Sequence, residues 1–120
     1  MFKIIGRDIY CTRGDKGTIE LKVPYGSGYY QFPAGSKIIF TVKENYSDSE
    51  PILRKTINVT SATSIVRINL TKTDTTIGEL INNKKKYVYD ISLGEDQTLV
   101  GHDDKGSRKF YLLPEASNDV

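Results

Sequence analysis

Any chemistry in this chain would have to be built from few parts. Its single histidine, His102, stands beside Asp103 and Asp104 and shortly after Glu95 and Asp96. Loop carboxylates are the ligand type that calcium wants, but the EF-hand spacing is missing. One histidine without a second ligand at a defined spacing does not make a transition-metal centre. Catalysis by proton transfer or by a nucleophile needs the acting group and its base side by side. Cys11, Ser92 and Ser107 are the candidates to accompany His102, and no spacing requires any of them to meet it. The expectation is a protein with no catalytic residues, no bound metal and no cofactor, and so not an enzyme.

Other short motifs read more simply as structure. Arg13-Gly14-Asp15 has the letters of an integrin ligand, yet it falls where a turn must join two strands. Asn45, Asn58 and Asn69 each open an Asn-X-Ser/Thr triplet, which carries glycans only in an exported chain. Lys84-Lys85-Lys86 follows Asn82-Asn83 and reads as a solvated turn entering a strand. The aromatic residues Tyr25, Tyr29, Tyr30, Phe32 and Tyr46 are the candidate interaction surface, because tyrosine offers large contact area at low entropic cost. For Tyr29 and Phe32 a second reading stands beside the first: they cap one end of the core.

The elements that would position these groups are strands. At 120 residues the chain is expected to form one domain burying about two-thirds of its unfolded surface. Eight tyrosines and many Ile, Val and Thr suit pleated surfaces, while helix formers are scarce. Seventeen basic and fifteen acidic residues are interspersed, for a net charge of +2. That balance makes no electrostatic case for nucleic acid or an anionic membrane. No apolar run suggests a leader or a membrane span, and the lone Cys11 excludes an internal disulfide framework. Synthesis in a reducing cytoplasm, with Cys11 as a small buried apolar group, is expected.

Alternation of side chains places strands over 7–12, 18–23 and 36–44, a hairpin over 53–60 and 64–70, and a final unit over 87–93, 98–100 and 108–113. A short edge strand at Tyr29-Tyr30 is expected inside the Tyr25–Gly35 connection. Helical spacing of Ile77, Leu80 and Ile81, with capping-box patterns at Thr71–Asp74 and Thr76–Glu79, predicts one short helical crossing near 72–82. Residues 115–120 read as a flexible tail or the start of a linker. About seven strands separated by regular turns is the pattern of a two-sheet β-sandwich.

Five pieces occur in order: Arg13-Gly14-Asp15 leading to Ile19-Glu20-Leu21, then Ile39-Phe40-Thr41-Val42-Lys43, Thr73-Asp74-Thr75, Tyr87-Val88-Tyr89-Asp90-Ile91 and Gln97-Thr98-Leu99-Val100-Gly101. This set resembles the N-terminal immunoglobulin-like domain of tailed-phage and prophage baseplate upper proteins, across nearly the whole chain. A turn of Asn83–Lys86 stands where that family usually carries a glycine, and the turn after Gly101 is longer. The resemblance implies an all-β, immunoglobulin-like sandwich in a virion tail, made in the bacterial cytoplasm. It implies a structural, non-enzymatic part that contacts other tail or baseplate proteins, expected as a homo-oligomer with no nucleic-acid or membrane partner. The alternative is a carbohydrate- or ligand-binding sandwich using the aromatic loop at 25–32.

Overall fold

The computed structural model describes residues 1–78, 83–101, 106 and 108–115. The protein is all-β. In chain order the strands are β1 Phe2–Ile5, β2 Asp8–Thr12, β3 Gly17–Leu21, β4 Pro24–Tyr25, β5 Gly28–Tyr29, β6 Lys37–Lys43, β7 Leu53–Asn58 and β8 Val66–Leu70. After the one-turn helix α1, Lys72–Thr75, come β9 Lys85–Leu93, β10 Gln97–Val100 and β11 Arg108–Leu113. Seven strands form one mixed sheet in the order β1-β2-β11-β9-β6-β7, with β10 also on β9. β3 and β8 form a separate antiparallel pair, and β4 and β5 a small one.

The longest strand, β9, organises the large sheet. β6 pairs with its Val88–Leu93 half along one edge. On the other edge β11 takes Lys85–Tyr89 and β10 takes Ile91–Leu93. β11 then pairs in parallel with β2, which joins the chain's start to its end. A parallel pair cannot be closed by a tight turn, and most of the domain intervenes between these two strands.

Alternation sends Ile9 and Cys11 from β2, Ile38, Phe40 and Val42 from β6, Tyr87, Tyr89 and Ile91 from β9, and Phe110 and Leu112 from β11 to one face. There they meet Ile19 and Leu21 of β3 and Val66, Ile68 and Leu70 of β8 in a single cluster. Phe40 lies between Tyr89 and Phe110, with ring centroids 5.7 and 6.3 Å away. The tilted ring pairs add to burial, which is the main stabilising term. Phe2 reaches the same core by lying over Gly17, where a Cβ would stand 2.2 Å from the ring. Glycine is needed there for space.

The expected hairpin over 53–70 is not formed. β7 pairs with β6 and β8 with β3, so the chain changes sheets between them. Val59 is buried and donates to the Ser36 carbonyl at 2.9 Å, while Phe32 and Thr63 exchange bonds of 2.8 and 3.0 Å. The segment that reads as a hairpin loop is therefore pinned to 32–36 and becomes a crossing. β1 is a further strand that the sequence reading did not place. It is joined to β2 by Gly6-Arg7, with Gly6 at φ 62 as a two-residue hairpin favours.

The helical crossing is one turn long within the described residues. Thr71 Oγ1 accepts from the Asp74 amide at 3.1 Å, and Asp74 Oδ2 accepts from the Thr71 amide at 2.9 Å. This closes the first of the two predicted capping boxes. Lys55 Nζ also meets Asp74, at 2.5 Å. Residues 79–82, including the Leu80 and Ile81 of the predicted pattern, lie outside the described residues.

Tyr89 tests the core assignment. Its ring is buried and its hydroxyl donates to the Arg7 carbonyl, while burial first, and then the nearby Asp8, pushes its pKa up to about 12. Tyr89→Ala should cost about 3–5 kcal/mol in denaturant unfolding, as large-to-small aromatic changes do. Tyr89→Phe, which loses only the hydrogen bond, should cost about 1 kcal/mol. Equal losses for the two variants would contradict the packing described.

Candidate functional site

The predicted aromatic surface divides by burial. Phe32 is 0% exposed and belongs to the core, so its place on a contact surface is corrected: its backbone pairing to Thr63 draws the ring inward. Tyr30 is half-buried against Phe32, edge to face at 5.0 Å and 80°. Tyr25 stands on Tyr30 in the same manner, at 5.8 Å and 79°. Successive rings are perpendicular, so these three do not make a flat platform for a sugar ring. Tyr25 is 70% exposed and Tyr29 is also exposed, on the small β4–β5 hairpin where Lys22 Nζ lies 5.3 Å from the Tyr29 ring. The structure thus gives a tyrosine-tipped hairpin anchored by Tyr30 and Phe32.

Tyr46, also exposed, is separate from that hairpin. It borders a cleft of 290 Å³ on the outward face of the large sheet, shared by Thr41 and Lys43 of β6, Asp90 of β9, and Ser47 and Asp48 of the following loop. The loop is shaped by Asp48, whose carboxylate accepts from the Asn45 amide at 2.9 Å while its own amide donates to the Asn45 carbonyl at 3.1 Å. Asp90 is half-buried, and burial raises its pKa, against the lowering effect of Lys43 and Arg54.

Arg13 has a role that the turn reading did not contain. It is 8% exposed, continuing the inward phase of Ile9 and Cys11 past the end of β2. Its guanidinium donates to the carbonyls of Ile77 at 3.3 Å and Gly78 at 3.1 Å, and pairs with Glu115 at 2.9 Å. The Arg-Gly-Asp letters therefore form no exposed ligand loop, because the arginine is turned into the protein. Glu115, expected at the start of a free tail, is held by this contact; residues 116–120 lie outside the described residues. Gly78 sits at φ 68 where a Cβ would stand 2.8 Å from the Tyr87 hydroxyl, so a side chain is excluded twice over. The sequence signal was available: period-2 counting from Ile9 reaches Arg13.

Cys11 is fully buried, and desolvation pushes its thiol up to about 11, with the N-terminal ammonium pulling the other way. A thiol that stays protonated is a poor nucleophile. His102, Asp103, Asp104 and Ser107 lie outside the described residues. Among the described residues no three His, Cys, Asp or Glu side chains gather as a metal site. No described helix is long and apolar enough to cross a membrane.

Two measurements follow. Arg13→Ala should lower stability by about 3 kcal/mol in urea, since removing one partner of a buried pair strands the groups it served. A loss below about 0.5 kcal/mol would mean that Arg13 is only a surface turn residue. For Asp90 the folded-state pKa is raised, so ionisation costs stability at neutral pH and the cost is relieved as the carboxyl protonates in acid. Asp90→Asn should therefore raise Tm at pH 7. The gain should shrink as pH falls through the raised folded value and vanish below the ordinary carboxylate range. A gain that grew in acid would reverse the assignment.

No protein-family model, curated protein or solved structure matches this chain.

Proposed function

We propose that this chain is a non-enzymatic assembly module of a phage or prophage tail, at the baseplate, working through protein–protein contacts and self-association. The observation that carries the reading is the outer edge of the large sheet. β1 pairs only with β2 among the described strands, and it presents Ile5, 57% exposed, and Ile4, also exposed. An unpaired strand edge is a template for another strand, and here only the shortness of β1 and Lys3 within it blunt that edge. A second copy of the chain is the natural occupant, because a strand can pair antiparallel with itself about a two-fold axis.

The strand order supports the immunoglobulin-like part of the reading. β11-β9-β6-β7 in one sheet, with β3–β8 opposed to it through the shared core, follows the G-F-C-C′ and B–E arrangement of variable-type domains. The parallel β2–β11 pair adds the chain's first long strand beside the last. The alternative, a sugar platform at 25–32, has less support because its rings stand perpendicular and Phe32 is buried.

Sedimentation across a concentration series should show reversible self-association, and Ile5→Lys should shift it to monomer without lowering Tm. Prophage induction in the source bacterium, with mass spectrometry of gradient-purified particles, should find the chain with capsid and tail proteins. A monomer at every concentration would remove the edge argument. Absence from particles, with abundance in the soluble lysate, would sink the tail assignment itself.

A further inference from the structure

The Tyr46 cleft has the composition of a ligand site, and neither the core nor the β1 edge accounts for it. Its floor is the large sheet, where Thr41 and Asp90 face each other across β6 and β9 in register. Its wall is the 45–48 loop, which the Asn45–Asp48 bonds hold in place. At 290 Å³ it lies at the small end of ligand pockets, which span about 300–1,000 Å³.

Asp90 is the group that asks for a ligand. It is half-buried, and among the described residues none donates a hydrogen bond to its carboxylate. Lys43 and Arg54 act on it through space only. Its oxygens stay open to solvent, and neutral hydroxyl donors would replace that water without bringing in a further charge. The lining also holds Lys43, which supplies a donor, Thr41 and Ser47, whose hydroxyls both donate and accept, the exposed ring of Tyr46, and Val88 and Tyr89 of β9. An anion would meet two carboxylates, Asp48 and Asp90, and a cation would meet Lys43 inside the cleft with Arg54 acting on Asp90. We infer that the cleft binds a neutral saccharide unit, with Asp90 accepting from ring hydroxyls, Lys43 donating to one, and Tyr46 covering the apolar face of the ring.

The test is an amide chemical-shift titration of the whole chain with methyl α-D-glucopyranoside, methyl β-D-galactopyranoside and N-acetylglucosamine, each taken to its solubility limit. Calcium chloride and methylammonium chloride serve as cation controls. At least one sugar should give saturable shifts at Thr41, Lys43, Tyr46 and Asp90. Asp90→Ala and Tyr46→Ala, checked for intact spectral dispersion, should each weaken it by about tenfold or more. Tyr25→Ala should leave it unchanged. The inference is overturned by shifts confined to the Tyr25–Phe32 hairpin, by sugar affinity that survives Asp90→Ala, by a response to the cations alone, or by no saturable response to any of the three sugars. None of these outcomes bears on self-association at β1, so the two readings fail separately.

Discussion

A buried guanidinium fixes how the two ends of this domain close. Arg13 leaves water at the end of β2, and an uncompensated charge there would cost several kcal/mol. Its donors are used in three directions: the carbonyls of Ile77 and Gly78 after α1, and the carboxylate of Glu115 after β11. The turn out of β2, the exit from the helix and the end of the last strand are thus bound at one point. Neighbouring contacts tighten the same place. Thr75 donates to the Asp15 carbonyl at 2.8 Å, and the Arg13 amide donates to the Leu113 carbonyl at 2.9 Å. Gly78, whose carbonyl Arg13 holds, has no room for a side chain, because a Cβ there would stand 2.8 Å from the Tyr87 hydroxyl.

That closure lets β9 serve as the sheet's axis. A nine-residue strand paired on both edges is the least able to slip, since a one-residue shift would turn Tyr87, Tyr89 and Ile91 out of the core. Of the strands that flank it, β6 and β11 are paired on both sides, so the sheet's edges fall at β1, at β7 and on the outer side of β10. The sheet's unpaired edges therefore lie on its periphery, whereas Asp90 lies near its middle on the outward face.

Much of this was legible because a half-buried strand writes its burial in every second letter. Alternation puts Ile38, Phe40 and Val42 on one face of their strand, and all three are buried; Val66, Ile68 and Leu70 alternate with Arg67 and Asn69, and they too are buried. The capping box at Thr71–Asp74 was equally visible, since its chemistry is local. Pairing partners were less so. β7 and β8 are adjacent in sequence and face each other in pattern, yet the bonds from Val59 and Thr63 to 32–36 send them to different sheets, and such long-range bonds leave no periodic mark. β1 leaves no periodic mark because three of its four residues are exposed and Ile4-Ile5 breaks alternation. Arg13 was hidden by its type: a charged residue next to glycine reads as a turn, although its phase places it inside. At the surface, tyrosine content pointed to a contact region, but only the fold separates the exposed Tyr25, Tyr29 and Tyr46 from the buried Phe32. The partial burial of Asp90 depends on a loop more than forty positions earlier, beyond the reach of any local pattern.

The two exposed features occupy different parts of one sheet, and their separation follows from strand order. Between β1 and the β9–β6 cleft stand β2 and β11, so β9 is three strand spacings from the edge, about 14 Å. A copy joined at β1 would extend the sheet sideways in its own plane. The cleft opens along the sheet's normal, because Thr41, Lys43 and Asp90 point away from the core. Edge pairing therefore need not cover the cleft, and a ligand in the cleft need not touch the edge. Linkage makes the same point thermodynamically: with no residue shared by the β1 edge and the cleft lining, the coupling free energy of the two events is expected near zero. An assembly formed through β1 would carry one open cleft per copy. Repeated weak sites held at fixed spacing gain avidity from the assembly itself, without any change in a single site.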